Sequence, residues 1–444
     1  MLSKKKKTIY KAILSVWYPL TLTWILMSVE GPILTALIAL GANPTENLAA
    51  FGVSYAFALL FESPVIMLIT ASTKLTENKQ SYRSMLNFTH LLCGLSVFLH
   101  LFLLIPSVYA TVASALNLTD PIAKRVYTSL CYLLPWAPAI GYRRFYQGIL
   151  IREHQTKRVM QGTMVRLITL LATGFYLFYF TSIEGAEFGA ITLSVAVICE
   201  AFMACLLGRS IVLPKKREAT PELTFKKIFH FYHPLALTSF IALGTQPFVT
   251  FMVSYCTFAL DSLAVLPVIN GITLLFRCIG LSYQEVCVTF MNKSKRYLDH
   301  LQEMALICGS ILSLVYFILA YTPLINMWLK NLSSLQDNLV NLAVPAIRLM
   351  FLIPVLGTIL AYKRSIALHI NKSTIISSTI LLEVFGIIAT MAVMAYLKFP
   401  GAFAACLAII IGRLIGVWSL QFFTKGYAEA LRRTTREAGP RVEV

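Results

Sequence analysis

The sequence is short of charge. Only 13% of its 444 residues are Asp, Glu, Lys or Arg, against about 25% in soluble domains. Acids are the scarcer kind, with 20 Asp and Glu against 38 Lys and Arg. At 57% hydrophobic residues, such a chain cannot dress a water-facing surface, which excludes an ordinary soluble protein and points to lipid. Motifs of chemistry are missing too: the sequence has no Walker lysine loop, metal-ligand cluster or nucleophile constellation, and His90, His100, His233 and His369 show no paired spacing. An ATP-driven pump or a membrane enzyme would need one of these, so the chain is expected not to be an enzyme and to hold no metal or cofactor. The nine cysteines form no Cys-x-x-Cys pair, which leaves ordinary buried thiols rather than a disulfide framework.

What the sequence has is long apolar runs. Twelve stretches reach the roughly 20 residues that a helix needs to cross the hydrocarbon, near 12–40, 48–73, 84–110, 126–151, 159–181, 187–209, 228–256, 262–290, 301–328, 340–362, 373–397 and 401–424. They are too long for barrel strands and do not alternate polar with apolar, so an all-α polytopic membrane protein is expected. The start at Lys4–Lys7 leads directly into a helix too long for a signal peptide. The positive charge of +18 is segregated. The N-terminus, the even-numbered turns and the C-terminal tail hold 28 of the 38 basic residues, and the odd turns hold only Lys124, Arg125, Lys330 and Lys398. This pattern excludes nucleic acid as the partner and predicts both termini on the cytoplasmic side of a plasma or bacterial inner membrane.

The chain also resembles itself. Shifted by 215 positions, Pro19, Leu20, Pro32 and Thr35 fall on Pro234, Leu235, Pro247 and Thr250, and the register continues through Leu48/Leu263, Val53/Val268, Phe61/Phe276 and Tyr82/Tyr297. A basic, polar segment between helices separates the copies. This predicts an N-lobe of helices 1–6 over 1–210, a cytoplasmic linker over 211–227, a C-lobe of helices 7–12 over 228–430 and a polar tail over 431–444. With six helices per half, the repeats are parallel, an architecture suited to two lobes that rock about a central site.

Ionisable residues deep in a membrane are expensive, about 2.5–3.5 kcal/mol each on insertion scales, so those within the runs are the candidates for function. Glu62 and Arg277 are repeat partners of opposite charge near mid-helix, suited to a gate or a charged cavity lining. Glu30 precedes Gly31 and Pro32; an acid beside a helix bend is suited to coupling a proton or sodium ion. Its counterparts in the second half are Thr245 and Gln246. Arg143 and Arg144 are adjacent and so point about 100° apart, which turns at least one inward as a planar fork for carboxylate or phosphate. Tyr55 and its repeat partner Asn270 are polar candidates for the lining, with helix packing as the plain alternative. Glu383 and Arg413 are expected to form a structural pair, Glu200 to pack peripherally, and Arg166 and Glu285 to lie at the membrane interface.

The twelve helices in two repeats, a first and a seventh helix expected to bend at Pro32 and Pro247, and the turn Gln147-Gly148-Ile149-Leu150 to Thr156-Lys157 resemble the multidrug/oligosaccharidyl-lipid/polysaccharide (MOP) superfamily, which includes the MATE exporters. Leu48-Ala49-x-x-Gly52-x-x-Tyr55 followed by Phe61-x-x-Pro64 is similar in spacing to the progressive-ankylosis (ANKH-type) transporters. The MATE resemblance implies that Glu30 occupies the position of the coupling acid of helix one; the ANKH resemblance implies an organic or phosphate anion as substrate. The resulting expectation is a monomeric secondary exporter of a small organic or phosphate-bearing anion or amphiphile. The partners would be the bilayer and a small-molecule or lipid-linked substrate. A lipid-linked oligosaccharide flippase and a MATE-type cationic drug antiporter stand as alternatives.

Overall fold

Backbone polar groups inside lipid have no water to turn to, so each must be bonded within its own segment, and helix does this. In the computed structural model the described residues are 4–153, 155–183, 185–211, 223–293, 297–370 and 372–437; they are predominantly helical, with no strand among them. Most of the predicted linker, 212–222, and the tail residues 438–444 lie outside the described residues.

The first half contains α1 (Lys4–Ser28), α2 (Glu30–Leu40), α3 (Pro44–Glu62), α4 (Leu68–Leu75), α5 (Lys79–Leu103), α6 (Pro106–Ala115), α7 (Asp120–Leu133), α8 (Trp136–Arg152), α9 (Thr156–Phe180) and α10 (Gly185–Arg209). The second contains α11 (Phe225–Val253), α12 (Ala259–Lys293), α13 (Leu298–Tyr321), α14 (Leu324–Met327), α15 (Asp337–Leu349), α16 (Ile353–His369), α17 (Ser373–Tyr396) and α18 (Gly401–Glu437). Ten helical stretches are long and apolar enough to cross a membrane. The two remaining predicted spans are helices interrupted midway, α3 giving way to α4 after Glu62 and α7 to α8 at Leu134-Pro135. A proline stands at each interruption, Pro64 and Pro135, and supplies no N–H to continue the ladder.

The two copies of the repeat break differently. The first span stops at Ser28 and restarts at Glu30, beside the predicted Glu-Gly-Pro bend. Its counterpart α11 carries Pro234 and Pro247 inside one unbroken helix. Likewise α3 ends at Glu62, while α12 continues through the repeat partner Arg277.

By packing, the chain divides into two compact units: Met1–Pro32 with Val268–Leu332 and Gln336–Val444, and Ile33–Pro267 with Ser333–Leu335. The lobes expected from the sequence were drawn along the repeat, whereas these units follow contact, and their boundaries at Pro32 and Pro267 fall inside the first and eighth predicted spans.

In the first of these units, α1 lies on α12, α13 and α16 through an apolar cluster that includes Ile13, Trp17, Tyr283, Phe290 and Leu301. Helices in lipid gain little from hydrophobicity, so packing and hydrogen bonds hold them together. Here the Trp17 indole donates to Ser282 Oγ at 2.8 Å, and Thr21 lies 3.1 Å from the same hydroxyl. Further along, Ser28 Oγ is 3.6 Å from Cys278 Sγ.

In the second unit, α8 is flanked by α4, α5 and α10, and α3 packs on α7, α10 and α11. The first turns of α12 cross α3 at Gly52, where an added Cβ would stand 2.8 Å from Pro267 Cγ and 3.2 Å from Leu263 O. Only a residue without a side chain lets the two backbones approach this closely. Gly52 and Pro267 are themselves 215 residues apart, so repeat partners meet at this crossing. The nine cysteines are all free thiols.

Candidate functional site

The densest buried chemistry lies within the second unit, on α8, α9 and α10. Trp136, Arg143 and Gln147 are spaced seven and four residues apart on α8, which puts them on one face of the helix. That face meets Glu200, midway along α10. Arg143 Nη1 donates to Glu200 Oε2 at 2.5 Å, with side-chain exposures of 3% and 1%. Arg166 of α9 brings its own Nη1 to 3.5 Å from the same oxygen. The Gln147 amide donates to the other, Oε1, at 3.4 Å. One carboxylate is thus shared by two guanidinium groups and an amide.

Trp136 extends the cluster to a second acid. Its Nε1–H donates to Glu62 Oε2 at 3.1 Å, and the Arg166 guanidinium sits 5.7 Å from its ring centroid. Tyr55 meets the same indole edge-on at 6.2 Å and stacks on Phe51 at 6.0 Å. Arg144, half-buried, feels the charges of Arg143, Glu62, Glu200 and Arg166. Its Nε is buried and makes no hydrogen bond among the described residues. Three arginines therefore face two glutamates, an excess of one positive charge in a setting where charge is screened poorly.

Of the sequence candidates, this unit brings together Glu62, Arg143, Arg144 and Tyr55. Gln246, half-buried on α11, belongs to the same unit, and its carbonyl accepts the Thr250 hydroxyl at 3.1 Å. Glu200 and Arg166 were set aside by sequence reasoning, one as peripheral and one as interfacial. Instead Glu200 is the centre of the cluster, and Arg166 is 8% exposed and bound to it. The signal that could have found them is their depth: both stand well inside apolar runs of about 25 residues.

The other candidates belong to the first unit. Glu30 is buried in the opening turn of α2, where the helix N-terminus favours a negative charge. Arg277 and Asn270 are half-buried on α12. Glu30 and Arg277 both flank the Ser28–Cys278 contact, and a Cβ added to Gly271 would lie 3.2 Å from Pro32 Cδ. Glu383 and Arg413 form an ion pair at 2.8 Å, with Arg364 at 3.6 Å from the other carboxylate oxygen. Glu285 is exposed on α12. Among the described residues no three or more His, Cys, Asp or Glu side chains gather as a metal site would need.

Solved membrane transporters share this architecture. An inward-facing multidrug resistance transporter of the MATE family, in the MOP superfamily, superposes with a TM-score of 0.73 at 13% identity, over 93% of this chain and 96% of its own. The lipid II flippase MurJ, in an inward closed conformation, gives 0.72 at 13% identity over 92% and 87%. A MOP superfamily transporter from Pyrococcus furiosus, described as having a binding pocket of reversed polarity, gives 0.66 at 14% identity over 97% and 99%. No family model matches the sequence, and no curated protein matches it significantly. At such identities the likeness shows the fold: this is an all-α, multi-pass integral membrane protein with the MATE/MOP architecture.

Proposed function

We propose that the chain is a secondary transporter that exports a small organic or phosphate-bearing anion, or an amphiphile carrying such a group, by alternating access. The observation that carries this reading is the positive excess of the buried cluster on α8–α10, with Arg144 held beside four charged neighbours and its Nε unbonded. An arginine fork pairs with carboxylate or phosphate through two parallel hydrogen bonds. Glu30 is the coupling site for a proton or sodium ion; Arg277, Asn270 and, in the other unit, Gln246 are further candidates for binding substrate or ion. The ANKH-like spacing around Tyr55 agrees with an anionic cargo. The protein works as a monomer in a plasma or bacterial inner membrane with both termini cytoplasmic, and it is not an enzyme.

The test is transport in proteoliposomes with Arg144→Gln. Uptake of the anions that wild type carries should fall at least about tenfold, the equivalent of one lost charge-assisted hydrogen bond, while the protein still elutes as a folded species. Unchanged uptake would sink the assignment. A second reading, a flippase for lipid-linked oligosaccharide, draws on the superposition with MurJ. Movement of a fluorescent lipid-linked sugar between leaflets, with no uptake of soluble anions, would favour it.

A further inference from the structure

A second cluster of the same composition lies in the first unit, on α16, α17 and α18. Arg413 Nη1 bonds Glu383 Oε1 at 2.8 Å. Arg364 Nη2 stands 3.6 Å from Glu383 Oε2, too far for a hydrogen bond. Glu383 Oε2 and Arg364 Nε are both buried and unbonded among the described residues. Glu383 is the one acid that acts electrostatically on Arg364 among those residues. Two arginines thus share one carboxylate, and one of the two is held loosely.

The location is repeated as well. The N-lobe trio comes from the fourth, fifth and sixth spans, and this one from the tenth, eleventh and twelfth. It differs in openness: the side chains of Arg364 and Arg413 are 19% and 22% exposed, against 3% and 10% for Arg143 and Arg166. The α18 backbone passes close to this carboxylate, since a Cβ at Gly416 would lie 3.1 Å from Glu383 Oε2. Arg364 is five residues from the end of α16 at His369, about 7 Å along the axis.

We propose that Arg364 and Arg413 form a second oxyanion site, separate from the cluster on α8–α10, that takes a phosphate or carboxylate group on the unbonded edge of Arg364. The excess positive charge supplies the attraction, and the unbonded Nε–H of Arg364 with its loosely held Nη2 supplies the planar fork. Glu383 holds Arg413 and keeps the site from collapsing onto both guanidinium groups. The same chemistry is offered by a soluble phosphate and by the phosphate of an anionic lipid.

The experiment measures binding of inorganic phosphate to the purified full chain in detergent by equilibrium dialysis, and retention of phosphatidylglycerol by native mass spectrometry. The measurement is made in an Arg144→Gln background, which silences the cluster on α8–α10. The expected result is that adding Arg364→Gln weakens the remaining binding of one of the two ligands at least about tenfold. Loss of phosphate binding assigns the site to a soluble anion, and loss of retained lipid alone assigns it to a headgroup. An Arg144→Gln chain that binds neither ligand overturns the proposal, as does undiminished binding of both in the double variant. Should that variant not fold, Arg364→Lys replaces it: the charge stays and the fork is lost, so binding should weaken severalfold, and unchanged binding overturns the proposal. Because Arg144 is the test of the transport reading, failure of one proposal leaves the other standing.

Discussion

The two ionic clusters are built from the same parts in a different order. Along the chain the first reads Arg143, Arg166, Glu200, and the second reads Arg364, Glu383, Arg413. The acid has moved from the third helix of the trio to the second. Three helices that converge on one point can exchange which of them carries the acid without losing the pairing, because the carboxylate stays between two guanidinium groups. Surroundings are what diverged. The first cluster is sealed and is extended by Trp136 to a second acid, Glu62. The second is half open, with one contact stretched to 3.6 Å. The comparison teaches that the repeat conserves where charge is placed, while burial decides whether that charge works as a rivet or as a receptor.

The largest effect should come from removing the shared acids. Glu200→Gln leaves Arg143 and Arg166 buried without their carboxylate, a change that costs about 3–5 kcal/mol. Glu383→Gln leaves arginines that water can reach, so the loss should be about 1–2 kcal/mol, between the buried and the exposed cases. Thermal unfolding of both variants in one detergent measures the difference. Equal losses would break the contrast between a sealed and an open cluster.

Trp136→Phe comes next. It keeps a ring against Tyr55 and Arg166 but removes the N–H that binds Glu62. Hydrogen bonds to charged groups are worth about 1.5–3 kcal/mol, and the midpoint of unfolding should fall accordingly. Trp17→Phe removes a neutral bond to Ser282 and serves as the reference, expected to cost about 1 kcal/mol. A smaller loss at Trp136 than at Trp17 would mean that Glu62 finds another donor.

Much of the fold was legible in the sequence because lipid enforces simple rules. Run length placed the spans, ten of which are helices long and apolar enough to cross a membrane. The bend at Glu30 was announced by Gly31 and Pro32, whereas the interruptions at Pro64 and Pro135 were not read from the sequence. The clusters were legible only in part. Glu200 and Arg166 looked peripheral because spacing along one helix says nothing about which neighbours converge on it. Arg143 and Arg144 looked divided by their 100° separation, yet long guanidinium stems let both feel Glu200. Trp136 carried no signal at all: an indole at a helix start reads as packing until an acid is found on its N–H. The packing division at Pro32 and Pro267 was equally silent, since a repeat records ancestry and not contact.

The smallest effect, and the sharpest separation of the two clusters, should come from salt. Raising ionic strength from about 0.1 M to 1 M shortens the screening length from about 10 Å to about 3 Å. Ions screen a pair only where solvent reaches it. The Arg413–Glu383 pair is 22% and 8% exposed, so part of its attraction runs through solvent, and the stability difference between wild type and Glu383→Gln should shrink by a few tenths of a kcal/mol at high salt. Arg143 and Glu200, at 3% and 1%, are outside that reach, and the penalty of Glu200→Gln should stay constant across the same range. The comparison is of differences, so salt effects on the micelle and on the rest of the chain cancel. If the Glu200→Gln penalty shrinks as much as that of Glu383→Gln, solvent ions enter the first cluster too. Both trios would then be receptors, and the division of labour between them would have to be given up.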